Sequence, residues 1–451
     1  MPKSNWYIAF EAHGKGPKKE NIFSTRDNHW HARYRGLVEQ GFSMEQLLHR
    51  EEAIDALLLD LLAKLDASCA PADGKAAASH TPSPSLIDQL HYFVFDVGGI
   101  LAFSRPYGFV KGQSDLEGII RLSRKLSTHL TRLAQAPVFQ YLLDKNPLVR
   151  FFGLVPPPVT FARRYLPLTR ISHQIDDPRS QDEKPKPNED LLDSWIEAHL
   201  KHPDVVTRNE IIDLALMLIS PTPDAVYVHP LSLSHSLTLS PDLLTRTMLP
   251  TSRTTLGVLI YYLFKSPNAL SKLRAELDSS LPNTTIPPYT LLSNPTHLPY
   301  LTACILESLR IHPPPGFMIE RVVPPGGAVV DGQYMPPGTL VSVSPWVIHH
   351  NEEIFGVEPD VFRPERWVEA EPEQRKKMEG MLCAFGFGGR VCLGKDVALL
   401  ELYKVVAVLV KEYEMTLADV EKDMTITWGN MVCVDMEVRI ATRRRESTMP
   451  T

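Results

Sequence analysis

Apolar residues recur every three to four positions from 28 to 66, the spacing of a helix with one buried face. Ser43 stands ahead of Met44-Glu45-Gln46-Leu47, and this order predicts a helix start capped by the serine side-chain oxygen. The stretch 70–85 is rich in Ala, Ser and Pro and predicts a surface loop. Helical spacing resumes over 86–143 and is strongest around 93–100. Residues 171–190 hold many charges and prolines and predict a second surface loop, followed by helices at 191–200 and 207–219.

The pattern then fails. Pro221, Pro223, Pro230, Pro241 and Pro250 lie among Ser, Leu and Thr, and neither the helical nor the strand period is sustained. Each interior proline removes a backbone donor and costs a helix ~3 kcal/mol, so no continuous helix is expected. Good helical pattern on both sides predicts that 220–250 is a non-native insertion, for instance a retained intron. Helices are predicted again at 254–264, 267–277 and 297–311. Between 319 and 343, β-branched runs alternate with Pro324-Pro325-Gly326-Gly327, Asp331-Gly332 and Pro336-Pro337-Gly338, which predicts short hairpin strands. A last long helix is expected over 396–413. The chain therefore reads as one mainly α domain, 1–451, with a small β region.

Composition narrows the function classes. With 451 residues, 43% of them hydrophobic and 22% charged, the chain has ample material for a large core. A formal net charge of -6 gives no basic face for nucleic acid, so small molecules and proteins are the expected partners. Five cysteines without regular spacing do not form a disulfide framework, which points to a reducing compartment. The start of the chain, MPKSNWYIAFEAHGKGPKKEN, lacks the apolar core of a signal peptide. No run reaches the ~18 consecutive apolar residues of a membrane span, the best being 211–219 and 405–410.

Two constellations carry chemistry. In Phe385-Gly386-Phe387-Gly388-Gly389-Arg390-Val391-Cys392-Leu393-Gly394, a cysteine sits among four glycines just before a helix. Backbone amides freed by glycine, and the partial positive charge of the helix N-terminus, favour thiolate over thiol. A thiolate is the donor that lets iron split the O–O bond of dioxygen. Competing readings are a small buried cysteine at a tight turn, a phosphate loop and a zinc site. Gly389, Gly394 and Lys395 fit the phosphate loop, but Asp396 replaces the magnesium-binding hydroxyl; Cys383 has no close Cys or His partner for zinc. The second constellation is Glu307 and Arg310, three apart on one helix face, with Arg366 as a further guanidinium able to grip the same carboxylate.

Together these segments resemble the cytochrome P-450 superfamily. Phe385, Gly388, Arg390, Cys392 and Gly394 match its haem signature, and Glu307-x-x-Arg310 and Pro364-x-Arg366 match its other fingerprints in the right order. The wording from Ile348 to Trp367 is similar to fungal members acting in secondary metabolism. The resemblance implies haem b with Cys392 as the iron's axial ligand and Arg390 on a propionate. It also implies Arg321 on the second propionate, His31 and Arg35 touching the propionates, and Glu307, Arg310 and Arg366 as structural residues.

The implied reaction inserts one atom of dioxygen into a small lipophilic substrate. Electrons would come from NADPH through a separate flavin-containing reductase, at the cytosolic face of the endoplasmic reticulum membrane. Two departures from the family pattern follow. The membrane anchor and first sheet are expected to be largely missing. In the family's distal helix, Thr251 would supply the proton-relay hydroxyl, while Pro250 replaces the acid and Met248 a glycine. A haem-thiolate isomerase or dehydratase, which needs no such relay, and a non-catalytic haem-binding remnant are the alternatives.

Overall fold

A computed structural model describes residues 1–10, 21–69, 84–121, 171, 175, 190–219, 251–281, 284–315, 318–428 and 432–443. The segment 220–250 and nearly all of 171–190 lie outside the described residues. The longer helices are α1 (Asn28–Val38), α2 (Glu51–Ser68), α3 (Leu86–Phe103), α4 (Leu191–Lys201), α5 (Arg208–Ile219), α6 (Thr251–Lys265), α7 (Pro267–Ser280), α8 (Pro299–Ile311), α9 (Pro372–Met381) and α10 (Lys395–Glu412). The mainly helical reading holds.

Their packing follows from the sequence pattern. On α2, Ile54, Leu57, Leu58, Leu61, Leu62 and Leu65 form one buried stripe, which faces α3. Helix α3 is apolar almost all round and long enough to cross a membrane by composition, yet 89% of it is buried inside the protein, as in a core helix. Its Asp96 carboxylate accepts hydrogen bonds from the N–H groups of Gly108, Phe109 and Val110 at 2.7, 3.2 and 2.9 Å, which closes the turn behind it. Helix α6 touches α3, α8 and α10 and so runs through the middle of the main core.

Four short strands lie between α8 and α9: β1 (Ile319–Val322), β2 (Ala328–Val330), β3 (Gln333–Met335) and β4 (Leu340–Val343). As the turn residues predict, β2 and β3 form a hairpin; β1 and β4 pair antiparallel outside it. The start of the chain lies along β1, with Lys3 bridged to Arg321 and the Val322 N–H donating to the Pro2 carbonyl at 2.9 Å.

Three expectations change. The helix after Ser43 does begin at Met44, but the serine oxygen does not cap it; the Asp396 carboxylate accepts the Met44 N–H at 3.2 Å instead. Helix α6 starts at Thr251, three residues before the predicted 254, and the Thr251 side chain lies outside the described residues. The last helix ends at Glu412 because Tyr413 turns extended (φ -125°, ψ 142°). There it opens β5 (Tyr413–Leu417), which pairs with β8 (Val438–Thr442), while β6 (Thr425–Trp428) pairs with β7 (Val432–Asp435). The alternation in β5, with Tyr413, Met415 and Leu417 buried, is the strand period that the preceding helical run obscures.

Candidate functional site

Glu307 on α8 is fully buried and gathers five hydrogen bonds. Its Oε1 accepts from Arg310 Nη2 at 2.8 Å, from Arg366 Nε at 2.9 Å and from the Arg363 N–H at 2.9 Å. Its Oε2 accepts from Arg310 Nε at 2.9 Å and Trp367 Nε1 at 2.8 Å. Two guanidiniums against one carboxylate leave a net positive charge, and backbone carbonyls of His349, Pro359, Val361, Phe355 and Glu358 surround it. A buried ion cluster persists only when its remaining donors are satisfied in this way. The three expected structural residues are therefore brought together, and Trp367, which sequence reasoning placed only within the motif's wording, is a fourth member.

His349 joins this cluster to the cysteine loop. Its Nδ1 lies 3.0 Å from the Arg310 carbonyl, and its Nε2 accepts the Cys383 N–H at 2.9 Å, so the ring is neutral with the proton on Nδ1. Burial lowers its pKa from 6.5 to about 3. An unfolded chain takes up a proton here near pH 6.5 that the folded chain refuses down to about pH 3. The stability His349 contributes is complete above pH 6.5 and falls by about 1.4 kcal/mol per pH unit as acid is added. Urea unfolding midpoints are expected to drop between pH 7 and pH 5, with a shallower drop in His349→Gln; equal slopes would remove this role.

The loop itself is shaped around Cys392. The Cys392 N–H donates to the Phe385 carbonyl at 2.7 Å, and Phe385 packs against the main core. Gly386 and Gly388 adopt φ of +77° and +58°, a region that side chains disfavour. An added Cβ at Gly388, Gly389 or Gly394 would meet no atom within 4 Å, so the loop presents bare backbone to open space. Cys392 is exposed on this surface. Loss of solvation nevertheless raises its pKa, against the pull of the Gly394 N–H and the Arg35 charge. The Gly394 N–H and the Arg35 charge act in the expected direction, towards the thiolate. A helix, α9, precedes the loop where a phosphate loop needs a strand, and among the described residues no cluster of His, Cys, Asp and Glu could hold a metal ion.

Helix α1 grips the loop from one side. Asn28 Oδ1 accepts from Arg390 Nη2 at 2.8 Å, and Arg35 Nη1 donates to the Val391 carbonyl at 2.6 Å. Arg35 also pairs with Glu39 at 2.7 Å. His31 is buried beside them, and burial, followed by the charges of Arg390, Lys3 and Arg35, lowers its pKa to about 4. Arg321 reaches the same place from β1, its Nη1 donating to the Tyr7 hydroxyl at 3.2 Å. His31, Arg35, Arg321 and Arg390 thus lie in one set of neighbouring groups around Lys3, with Arg35 also acting on Cys392. The structure adds Lys3 and Tyr7, for which the sequence carries no signal because only the pairing with β1 brings them there.

One further buried acid lies behind the cysteine helix. Glu401 on α10 has its pKa raised by burial to about 8 and bonds Ser252 on the first turn of α6, so it is neutral at pH 7.

A bare backbone cradle with an exposed cysteine, facing a set of cations, suits a flat group that offers a metal on one face and carboxylates at one edge. The comparisons agree. The cytochrome P-450 family profile matches residues 2–437. The chain is similar to cytochrome P-450 monooxygenase cicH of Emericella nidulans, with 29% identity over 93% of this chain and 76% of that one. Similarity to cytochrome P-450 monooxygenase pkfB of the same species is 30% over 98% and 79%. For asR2 of Sarocladium schorii, also a cytochrome P-450 monooxygenase, it is 30% over 99% and 80%. With a family profile spanning nearly its whole length and these relatives covered over most of theirs, the chain belongs to the cytochrome P-450 family and is a haem-thiolate enzyme of monooxygenase type.

Proposed function

We propose that Cys392 is the axial ligand of haem b, and that Arg390, Arg321, His31 and Arg35 surround its propionates. The observation that carries this reading is the exposed Cys392 in a loop of bare backbone, with the half-buried guanidiniums of Arg35 on α1 and Arg321 on β1 and the buried, neutral His31 in the same region. When bound, thiolate-ligated haem supplies the reductive cleavage of dioxygen. The protein's part is to fix the sulfur through the Phe385 carbonyl and Gly394 N–H and to hold the loop at Val391 and Cys383. Metal coordination displaces the thiol proton that the protein alone retains.

In this reading the chain inserts one oxygen atom into a small lipophilic compound of secondary metabolism. A separate flavin-containing NADPH reductase delivers the electrons at the cytosolic face of the endoplasmic reticulum. Thr251, at the start of α6, is the candidate hydroxyl for proton delivery.

The test is a ferrous carbon-monoxide spectrum of the purified chain, followed by turnover of a lipophilic compound panel with reductase, NADPH and oxygen-18-labelled dioxygen. A thiolate-type band and one labelled atom per product are expected. Absence of the band removes the reading; turnover without NADPH and dioxygen would make the chain an isomerase or dehydratase.

A further inference from the structure

Lys3 is a lysine in a costly place. It is 7% exposed, and its backbone forms an antiparallel bridge with Arg321 at the edge of β1. Its Nζ donates to the Phe23 carbonyl and lies 4.2 Å from the Tyr7 ring centroid and 4.4 Å from that of Phe23. The charges that act on it most are those of Arg390 and Arg321, both of its own sign. Its effect is felt in turn by His31.

Burial and like charge together hold its pKa well below the ordinary value. The acceptors described for Lys3 and Arg321 are all neutral: the Phe23 carbonyl, the Tyr7 hydroxyl and the Glu320 carbonyl. The neighbouring carboxylate, Glu320, accepts from Ser4 Oγ at 2.7 Å. A buried ammonium beside a guanidinium is stable when an anion stands between them, because each cation then gains a charge-assisted bond and loses the repulsion.

We propose that Lys3 is a cofactor-binding residue: its ammonium, set beside Arg321 by the chain's pairing with β1, binds a haem carboxylate together with Arg321 and Arg390. The inference rests on the haem reading above. It differs from a structural role for Lys3, in which the ammonium only packs on Tyr7 and Phe23, in depending on the charge of the cofactor edge. Methyl esterification of both haem carboxylates removes that charge and keeps the iron, the ring and the thiolate bond.

The experiment loads the full chain and its Lys3→Met, Lys3→Gln and Lys3→Arg variants with haem or with haem dimethyl ester, and measures transfer of each to apomyoglobin. Haem is expected to leave the Met and Gln variants about 10- to 100-fold faster than the unsubstituted chain, with Arg restoring most of the loss. The dimethyl ester is expected to leave all four at the same rate. Equal acceleration for both cofactors, or none for haem, overturns the proposal. Gln stands in where Met does not fold. The unsubstituted chain's ferrous carbon-monoxide band is recorded first: its absence defeats the haem reading itself, whereas its presence with no cofactor-dependent effect defeats Lys3 alone.

Discussion

Glu307→Ala is expected to leave the chain without a stable fold. The carboxylate is the common acceptor for two buried guanidiniums, an indole N–H and the Arg363 backbone N–H. Removing it strands those donors and leaves Arg310 and Arg366, 0% and 4% exposed, facing each other with no negative charge between them. Breaking a buried ion pair by deleting one partner costs about 3–5 kcal/mol, and a whole domain is stable by only about 5–15 kcal/mol. Glu307→Gln keeps the shape but turns an amide NH2 towards donors, so it is expected to lose most of the same stability. Urea unfolding midpoints and soluble yield measure both variants. A Glu307→Ala midpoint within the usual scatter of a surface substitution would show that the cluster does not hold α8 to the segment before the cysteine loop.

Much of this was legible in the sequence because the residues concerned have few alternative fates. An acid and a base three apart on an apolar helix, with a second Arg after a proline, are costly to bury unless they meet, and they do meet. Two of the glycines before Cys392 adopt left-handed backbone, which a side chain would disfavour. Helices α2, α4, α5 and α8 follow from their apolar period. The losses all come from contacts between distant segments. Ser43 is a good capping residue, yet Asp396, far along the chain, takes the Met44 N–H. His349 reads as one of two neighbouring histidines until Arg310 and Cys383 are seen on its two ring nitrogens. Lys3 reads as part of a polar start to the chain until β1 is seen beside it. At Cys392 the local signal was legible: the Gly394 amide draws the sulfur towards the thiolate, while the added pull of Arg35 comes from a segment far back in the chain.

Cys392→Ala is expected to abolish the thiolate-type ferrous carbon-monoxide band and reduce monooxygenase turnover to background. Access singles out Cys392 as much as the motif does. Among the described cysteines, Cys304 and Cys383 are buried, Cys69 is half-buried and Cys392 is exposed. Cys383 is the nearest competitor in sequence, but burial pushes its thiol up to about 12, and its sulfur lies 3.3 Å from His349 Nε2. That sulfur lies against His349, whose other ring nitrogen bonds the Arg310 carbonyl. Cys383→Ala is therefore expected to keep the band, with a loss of stability of about 1 kcal/mol or more from the small cavity it leaves. Cys392→Ser separates ligation from folding: hydroxyl replaces thiol at nearly the same volume, so the fold and the Phe385 contact survive while the sulfur donor is gone. Haem content, circular dichroism and the carbon-monoxide spectrum of the three variants give the answer together. A folded Cys392→Ala protein that keeps the thiolate band would move the ligand to another cysteine and, with it, the haem away from the cations of α1 and β1.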